Sequence, residues 1–322
     1  MKNLRDFDFE NKRVLVRCDF NIPLDEEGNI LGDFKIRQIL PTIEYLINAG
    51  ASQITLISHL AQKFSLKPVA GRLGELLGRE VKFKEPGYIT LLENLRLNKG
   101  EEENDENFAK ELAKLGDIFI NDAFAVCHRT HASIVGIPRF LPSGAGLLLE
   151  KEIKTLSRLL ENPAKPLAAV IGGAKVQTKV KVIEKLLKIA DFVLVGGLLN
   201  KEIKPAFAKA TAGEGKIIGA GEGLDIPEAD LKIFKEKIVQ AKTVFWNGPL
   251  GKTEDERFSK GTKEVALAII ESGAFSVAGG GETVEFINKL GLIDKFSYVS
   301  TGGGAMMAYL SGEKLPGIEA LK

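Results

Sequence analysis

The chain has 322 residues, of which 44% are hydrophobic and 27% charged, and 44 Lys+Arg against 43 Asp+Glu give a formal charge of +1. That length suits two domains, the apolar content excludes disorder as a description of the whole, and the balanced charge argues against a general nucleic-acid or membrane-surface binder. Two cysteines cannot build a disulfide framework or a four-ligand zinc site, which points to a reducing, cytoplasmic setting. The opening MKNLRDFDFENKR lacks the apolar stretch of a signal peptide. No apolar run approaches the ~18 residues of a membrane span.

Short apolar runs recur at 14–16, 54–57, 89–92, 118–120, 167–171, 192–195, 243–246, 275–277 and 298–300, and read as strands. Amphipathic stretches at 39–47, 107–115, 180–187 and 231–240 read as the helices between them. Strands alternating with helices of this length predict an α/β protein with parallel sheets. A charged helix over 150–160 and the Pro-rich 162–166 mark the domain boundary. The acidic run at 101–106 reads as a solvated helix start, and 206–227, rich in Ala and Gly, has weak periodicity.

The two halves differ in the residues at their strand ends. In the first half the strands end in Arg17-Cys18-Asp19-Phe20-Asn21, Ser58-His59, Glu93-Asn94-Leu95-Arg96 and Asn121-Asp122, the last leading to His128-Arg129-Thr130-His131. In the second half they end in glycines: Gly172-Gly173-Ala174-Lys175, Gly196-Gly197, Asn247-Gly248-Pro249-Leu250-Gly251, Gly279-Gly280-Gly281 and Gly302-Gly303-Gly304. Ligands of open α/β sheets bind beyond the carboxyl ends of the strands. One half therefore presents cationic side chains there, and the other presents bare backbone N–H groups suited to phosphates.

Arginine forks suit phosphate and carboxylate oxygens, so Arg17, Lys35, Arg37, His59, Arg96, His128, Arg129 and His131 form a candidate anion site. The plain alternative is ordinary pairing: Arg17 with Asp19, Arg96 with Glu93, and a hydrogen-bonded His131. Cys18 and Cys127 read as packing residues. The stretch Gly248–Thr253 ends like a Walker A loop but has two residues between its glycines instead of four, and no Gly-x-Gly-x-x-Gly follows the first strand of either half. An anion-binding half and a nucleotide-binding half suggest phosphoryl transfer between two small ligands, with a hinge to exclude water.

At these residues the chain resembles the phosphoglycerate kinase family almost end to end. The resemblance rests on VLVRCDFNIPL, ILPTIEYL, ISHL, SLKPVAGRL, LLENLRL, GDIFINDAFAVCHRTHAS and FLPSGAGLLLEKE, then IGGAKVQTKV, AKTVFWNGPLG, GTKEVA, AGGGET and VSTGGGA. It implies two Rossmann-like lobes: 1–150 binding phosphoglycerate, with the tail 305–322 packing back on it, a hinge helix and linker over 151–165, and 166–304 binding nucleotide. It implies reversible phosphoryl transfer between 1,3-bisphosphoglycerate and Mg-ADP, giving 3-phosphoglycerate and Mg-ATP, by a cytoplasmic monomer without nucleic-acid or membrane partners.

Carried over by position, Asp19, Phe20, Asn21, Lys35, His59, Gln62, Arg96, His128 and Arg129 would hold the phosphoglycerate. Arg17, Lys35, Lys175 and Lys179 would act on the moving phosphoryl group. Gly173, Ala174, Lys175, Lys179, Gly196, Gly197, Asn247, Pro249, Glu254, Gly280, Gly281, Glu282 and Thr283 would bind the nucleotide, with Glu282 at Mg²⁺. The chain departs from the family at several points. Lys35 stands where an arginine is usual, with Arg37 as a possible substitute; Gln62 replaces a clamping arginine, with Lys63 as a stand-in; Glu282 replaces an aspartate. Thr178 stands where an aspartate is usual, and Leu198 replaces a third glycine. The chain is shorter than typical members between Lys84 and Gly87 and between Gly197 and Leu224. These departures motivate an alternative, a catalytically weak or inactive phosphoglycerate- and nucleotide-binding protein on the same fold, and a lesser one, a kinase for another small carboxylate.

Overall fold

The computed structural model describes residues 1–60, 64–173, 177–207 and 216–322. They divide into two compact units, Met1–Lys154 with Lys314–Lys322, and Thr155–Glu313. In the first, chain order runs β1 (Arg13–Arg17), α1 (Phe34–Asn48), β2 (Gln53–Ile57), α2 (Lys67–Leu77), β3 (Lys82–Phe83), β4 (Ile89–Leu91), α3 (Lys99–Glu102), α4 (Glu106–Ala113), β5 (Ile118–Asn121), β6 (Ser143–Ala145) and α5 (Leu147–Glu161). The boundary between the units falls along α5.

The first sheet has the order β3-β4-β2-β1-β5-β6, and every strand pairing is parallel. Its strands are covered on both faces, which is why 14–16 and 118–120 are unbroken apolar runs. Val14, Val16, Ile54, Leu56, Ile118 and Ile120 face the core beneath α1 and α2. Leu15, Ile57 and Phe119 point the other way, into a core with Leu112 and Ala113 of α4. Strand alternation sets this division.

The second unit runs β7 (Leu167–Ile171), α6 (Gln177–Ile189), β8 (Phe192–Val195), α7 (Gly197–Phe207), β9 (Ile217–Gly219), α8 (Glu228–Gln240), β10 (Thr243–Asn247), α9 (Lys260–Glu271), β11 (Phe275–Gly279), α10 (Gly281–Lys289), β12 (Tyr298–Val299) and α11 (Gly304–Ser311). Its parallel sheet has the order β12-β11-β10-β7-β8-β9, that of a doubly wound nucleotide-binding sheet. The expected α/β class with parallel sheets is thus observed. Three short strands that lack a sequence signal, β3, β6 and β9, are all at sheet edges.

The tail joins the first unit from Lys314, not from residue 305, because α11 packs against α6 of its own unit. The final helix α12 (Pro316–Glu319) docks on the segment after β5. Gly317 N–H donates to Cys127 O at 2.8 Å, and a Cβ at Gly317 would lie 2.7 Å from Ile134 and 2.9 Å from Cys127 Cα. A glycine is needed at that approach, and the tail thereby braces the loop that carries His128, Arg129 and His131. No helix among the described residues is long and apolar enough to cross a membrane.

Candidate active site

In the first sheet the strand order reverses between β1 and β5, so the crevice lies at their carboxyl ends. Arg17 closes β1, and alternation turns it to the same side as Leu15. There it is wholly enclosed. Its Nε donates to Ser133 Oγ at 2.7 Å and its Nη1 to the Cys18 carbonyl at 2.5 Å. Its Nη2 stands 3.3 Å from His59 Nδ1 and 3.6 Å from Glu101 Oε1. Ser133, on a single π-helical turn over Ala132–Gly136, donates from Oγ to Glu101 Oε1 at 2.6 Å and from its N–H to Oε2 at 3.0 Å. Two expectations change here. Arg17 pairs with Glu101 instead of Asp19 and is fully enclosed. Glu101 is fully buried, not part of a solvated helix start, because the Arg17 charge needs a partner out of water.

Asp19 takes a different cation. Its Oδ2 accepts from Lys35 Nζ at 2.7 Å and its Oδ1 from Asn21 N–H at 2.9 Å. Burial pushes the Asp19 carboxyl up, but the charge of Lys35 and these hydrogen bonds outweigh it and hold the group below its ordinary value. Arg37 does not take the place of Lys35 at Asp19: its Nε donates at 2.9 Å to Asp33, at the start of α1. Phe20 contributes its backbone, donating to Ser58 Oγ at 2.8 Å, while its ring lies in the core.

Arg96 sits on a short turn over Leu95–Leu97, and its own N–H donates to the capping Asn94 Oδ1 at 3.1 Å. Its Nε lies 3.2 Å from Glu102 Oε1. Glu93, the expected partner, instead accepts from Ser65 Oγ, Leu66 N–H and Asn94 N–H. Burial lowers the Arg96 pKa, and Arg17 and Arg129 act in the same direction, which marks a locally cationic field. Arg129 is exposed and has no carboxylate partner among the described residues. His128 is half-buried, with its pKa lowered by burial and then by Arg129, and its Nδ1 has no hydrogen-bond partner among the described residues. The His131 Nδ1 is 3.7 Å from Glu101, too far for the expected hydrogen bond. Burial pushes the thiols of Cys18 and Cys127 up, the latter to about 12, in keeping with packing residues.

In the second sheet the reversal falls between β7 and β10. Gly172 N–H donates to Asn247 O at 2.9 Å, and Gly173 N–H to Pro249 O at 2.7 Å. A Cβ on Gly172 would stand 2.0 Å from Pro249 O, and one on Gly248 2.2 Å from Gly172 O. Two strand ends can approach this closely only as glycines. The buried Lys179 ammonium, on the first turn of α6, donates to Gly172 O. A Cβ on Gly173 would be 2.6 Å from Lys179 Nζ and 3.8 Å from Glu282 Oε2, so a cation and a carboxylate converge at this turn.

Thr283 and Asn247 are struts of the same turn. Thr283 Oγ1 accepts from Gly248 N–H at 2.8 Å, and Asn247 Nδ2 donates to Gly279 O at 2.9 Å. Gly280 has φ +100°, and a Cβ there would meet Asn247 Nδ2 at 2.7 Å. Gly281 has open space where a side chain would be. Beside this cradle, Gly196 follows β8 and Gly197 opens α7, and a Cβ on Gly197 would be 2.1 Å from Gly221 O. Glu254 is exposed on the loop between β10 and α9. Gln62, Ala174 and Lys175 lie outside the described residues.

Each sheet thus gathers one set of candidate groups at the carboxyl ends of its inner strands: cationic side chains in the first unit, and glycine backbone with Lys179 in the second. Glu101 and Ser133 were not legible as members of the first, although the burial of a strand-terminal arginine demands such a partner.

A family model for phosphoglycerate kinase matches residues 4–214 and 200–313. The chain is 41% identical over 388 residues to the phosphoglycerate kinase of Coprothermobacter proteolyticus, covering 100% of this chain and 98% of the relative. It is 41% identical to that of Borrelia hermsii over 391 residues, covering 100% and 99%. Solved structures agree: phosphoglycerate kinase from Coxiella burnetii superposes with TM-score 0.84 at 35% identity, covering 99% and 98% of the two chains. Phosphoglycerate kinase from Pyrococcus horikoshii OT3 superposes with TM-score 0.87 at 32% identity, covering 100% and 98%. With the match running the length of the chain in sequence and in structure, this protein belongs to the phosphoglycerate kinase family.

Proposed function

We propose that this phosphotransferase moves a phosphoryl group reversibly between 1,3-bisphosphoglycerate and Mg-ADP, giving 3-phosphoglycerate and Mg-ATP. In the forward step a terminal oxygen of ADP bonds to phosphorus as the acyl P–O bond breaks, and the carboxylate of 3-phosphoglycerate leaves. The attacking phosphate oxygen is already anionic and the leaving group departs as a stable carboxylate, so neither a general base nor a general acid is required, and positioning and charge neutralisation carry the reaction. The observation that supports this most directly is the buried Lys179 ammonium beside the Gly172–Gly248 contact at the switch point of the second sheet.

On this reading Asp19, Asn21, Lys35, His59, Arg96, His128 and Arg129 bind the phosphoglycerate. Lys35 and Arg129 supply charge, and Arg96, already partly dehydrated, gives up little hydration on binding. Phe20 and Arg17 act through what they hold. Gly173, Lys179 and Gly280 to Glu282 cradle the nucleotide phosphates, Asn247 and Thr283 hold the cradle open, and Gly196, Gly197, Pro249 and Glu254 border the nucleoside. By sequence position alone, Lys175 and Ala174 are assigned to the nucleotide and Gln62 to the phosphoglycerate. The residues fit a magnesium ion: Glu282 is an exposed carboxylate without an ion-pair partner among the described residues, next to the cradle. Magnesium typically takes one or two carboxylates with phosphate oxygens and water. The ion would neutralise phosphate charge, while the chain's own groups fix geometry.

The test is a coupled assay on the full chain with 3-phosphoglycerate and Mg-ATP, following 1,3-bisphosphoglycerate through its reductive dephosphorylation. Turnover with 3-phosphoglycerate, none with other small carboxylates, and a loss of about 100-fold or more in Lys179→Ala are expected. A folded sample without turnover would sink the proposal.

A further inference from the structure

Arg17 is fully buried, and its guanidinium ends on His59. The buried chain of groups has a fixed polarity. Glu101, as a carboxylate, only accepts. Ser133 Oγ therefore gives its proton to Glu101 Oε1 and accepts from Arg17 Nε. The guanidinium has donors only. His59 Nδ1, 3.3 Å from Arg17 Nη2, must then be the acceptor.

We infer that Arg17 is a positioning residue for phosphoglycerate binding: it fixes the neutral His59 ring as the tautomer with its proton on Nε2, so the ring offers a donor to the anionic substrate. This rests on the assignment of His59 to the phosphoglycerate site. The opposite tautomer would leave a lone pair on Nε2, which repels phosphate and carboxylate oxygens alike. The guanidinium cannot turn away, because its Nε is held by Ser133, its Nη1 by the Cys18 carbonyl, and its charge by Glu101. Burial keeps the ring neutral, and Arg17, Arg96 and Lys35 act in the same direction against Asp19. His59 is fixed by a neighbour in the way ring nitrogens generally are: the partner of one decides the proton on the other.

The chain has three histidines, so a full-length sample labelled with ¹⁵N in histidine can be assigned with a His59→Gln variant. In the unliganded protein at neutral pH, His59 should show a protonated Nε2 and an unprotonated Nδ1. A proton on Nδ1, or on both nitrogens, overturns the inference. Adding 3-phosphoglycerate should then shift Nε2. A ring with the inferred tautomer that ignores 3-phosphoglycerate overturns the site assignment, and with it a role for Arg17 in binding. A ring protonated on Nδ1 that still responds overturns only the inference about Arg17. Kinetics give a second readout. In Arg17→Lys, the KM for 3-phosphoglycerate should rise about tenfold, as for a lost charge-assisted hydrogen bond, while the KM for Mg-ATP stays unchanged. Combined with His59→Gln, Arg17→Lys should add no further loss. Equal rises in both KM values, or full additivity, would show a merely structural arginine. Should Arg17→Lys fail to fold, the spectrum of the unmodified protein decides.

Discussion

Glu101 and Glu102 are consecutive in one acidic run, and the fold sends them to different surroundings. The Glu101 side chain is fully enclosed with Arg17, whereas that of Glu102 is 60% exposed beside Arg96. Removing the first charge strands a guanidinium out of water; removing the second lets solvent take over. Glu101→Gln should therefore cost about 3 kcal/mol or more, and Glu102→Gln less than about 1 kcal/mol. Urea unfolding of the full chain, followed by far-UV circular dichroism, separates the two. Equal small losses would mean that Arg17 finds other compensation. Composition and spacing could not tell the two apart, because a three-dimensional partner decides which glutamate is buried. The alternation through Val14, Leu15, Val16 and Arg17 held part of the answer: it turns Arg17 into a face whose other members are apolar. What it lacked was the register that brings α3 and the Ser133 turn to that face. Likewise Lys35, rather than the better-forked Arg37, meets Asp19, since residues two apart on a helix point in different directions.

At the level of elements, burial on both faces made the central strands legible. Residues 167–171 and 192–195 appear in the structure with the bounds their apolar runs suggest. The edge strands β3, β6 and β9 were not legible, for they have two or three residues and include Lys82 and Gly144. Pairing with a neighbour makes them strands, not their own pattern. The glycine-ended strands of the second unit were visible as motifs, but only the structure distinguishes glycines that permit a close approach from glycines that merely fill space. Gly172→Ala would drive a Cβ to 2.0 Å from Pro249 O and 2.7 Å from Gly248 O. It should cost about 1–3 kcal/mol in forced backbone shifts and weaken Mg-ATP binding in calorimetry, with 3-phosphoglycerate binding unchanged. Gly71, inside α2, meets nothing within 4 Å of an added Cβ. Gly71→Ala should stabilise the protein by about 0.5–1 kcal/mol. A Gly172→Ala variant that bound nucleotide normally would remove the close contact from the account of the phosphate cradle.

Over the whole molecule the near-zero net charge hides groups whose proton affinity changes on folding, and two of them pull stability in opposite directions. Asp122 follows β5 and caps α5: its Oδ1 accepts from Leu149 N–H at 2.8 Å and its Oδ2 from Thr42 Oγ1 at 2.5 Å, while Thr42 Oγ1 accepts from Leu147 N–H. Burial nevertheless dominates over these donors and pushes the carboxyl up to about 7. An unfolded aspartate titrates near 3.9. Between those values the folded state holds more protons, so stability falls as pH rises through that window. His59 does the reverse. Burial, reinforced by Arg17, holds it well below the ordinary histidine value of about 6.5. Below that value the unfolded state takes up more protons, and stability falls with acidification. Asp122→Asn removes only the first slope. The stability of the unmodified protein relative to this variant should drop by about 1.4 kcal/mol per pH unit between about pH 5 and pH 7, then level off. The lone tryptophan, Trp246, belongs to the second unit and would miss the effect. Backbone hydrogen exchange of β1 and β5 reads the first unit directly, after correction for the intrinsic rates. A stability difference that does not change with pH would mean that the Leu149 and Thr42 donors keep Asp122 ionised, and that the α5 cap is a charged one.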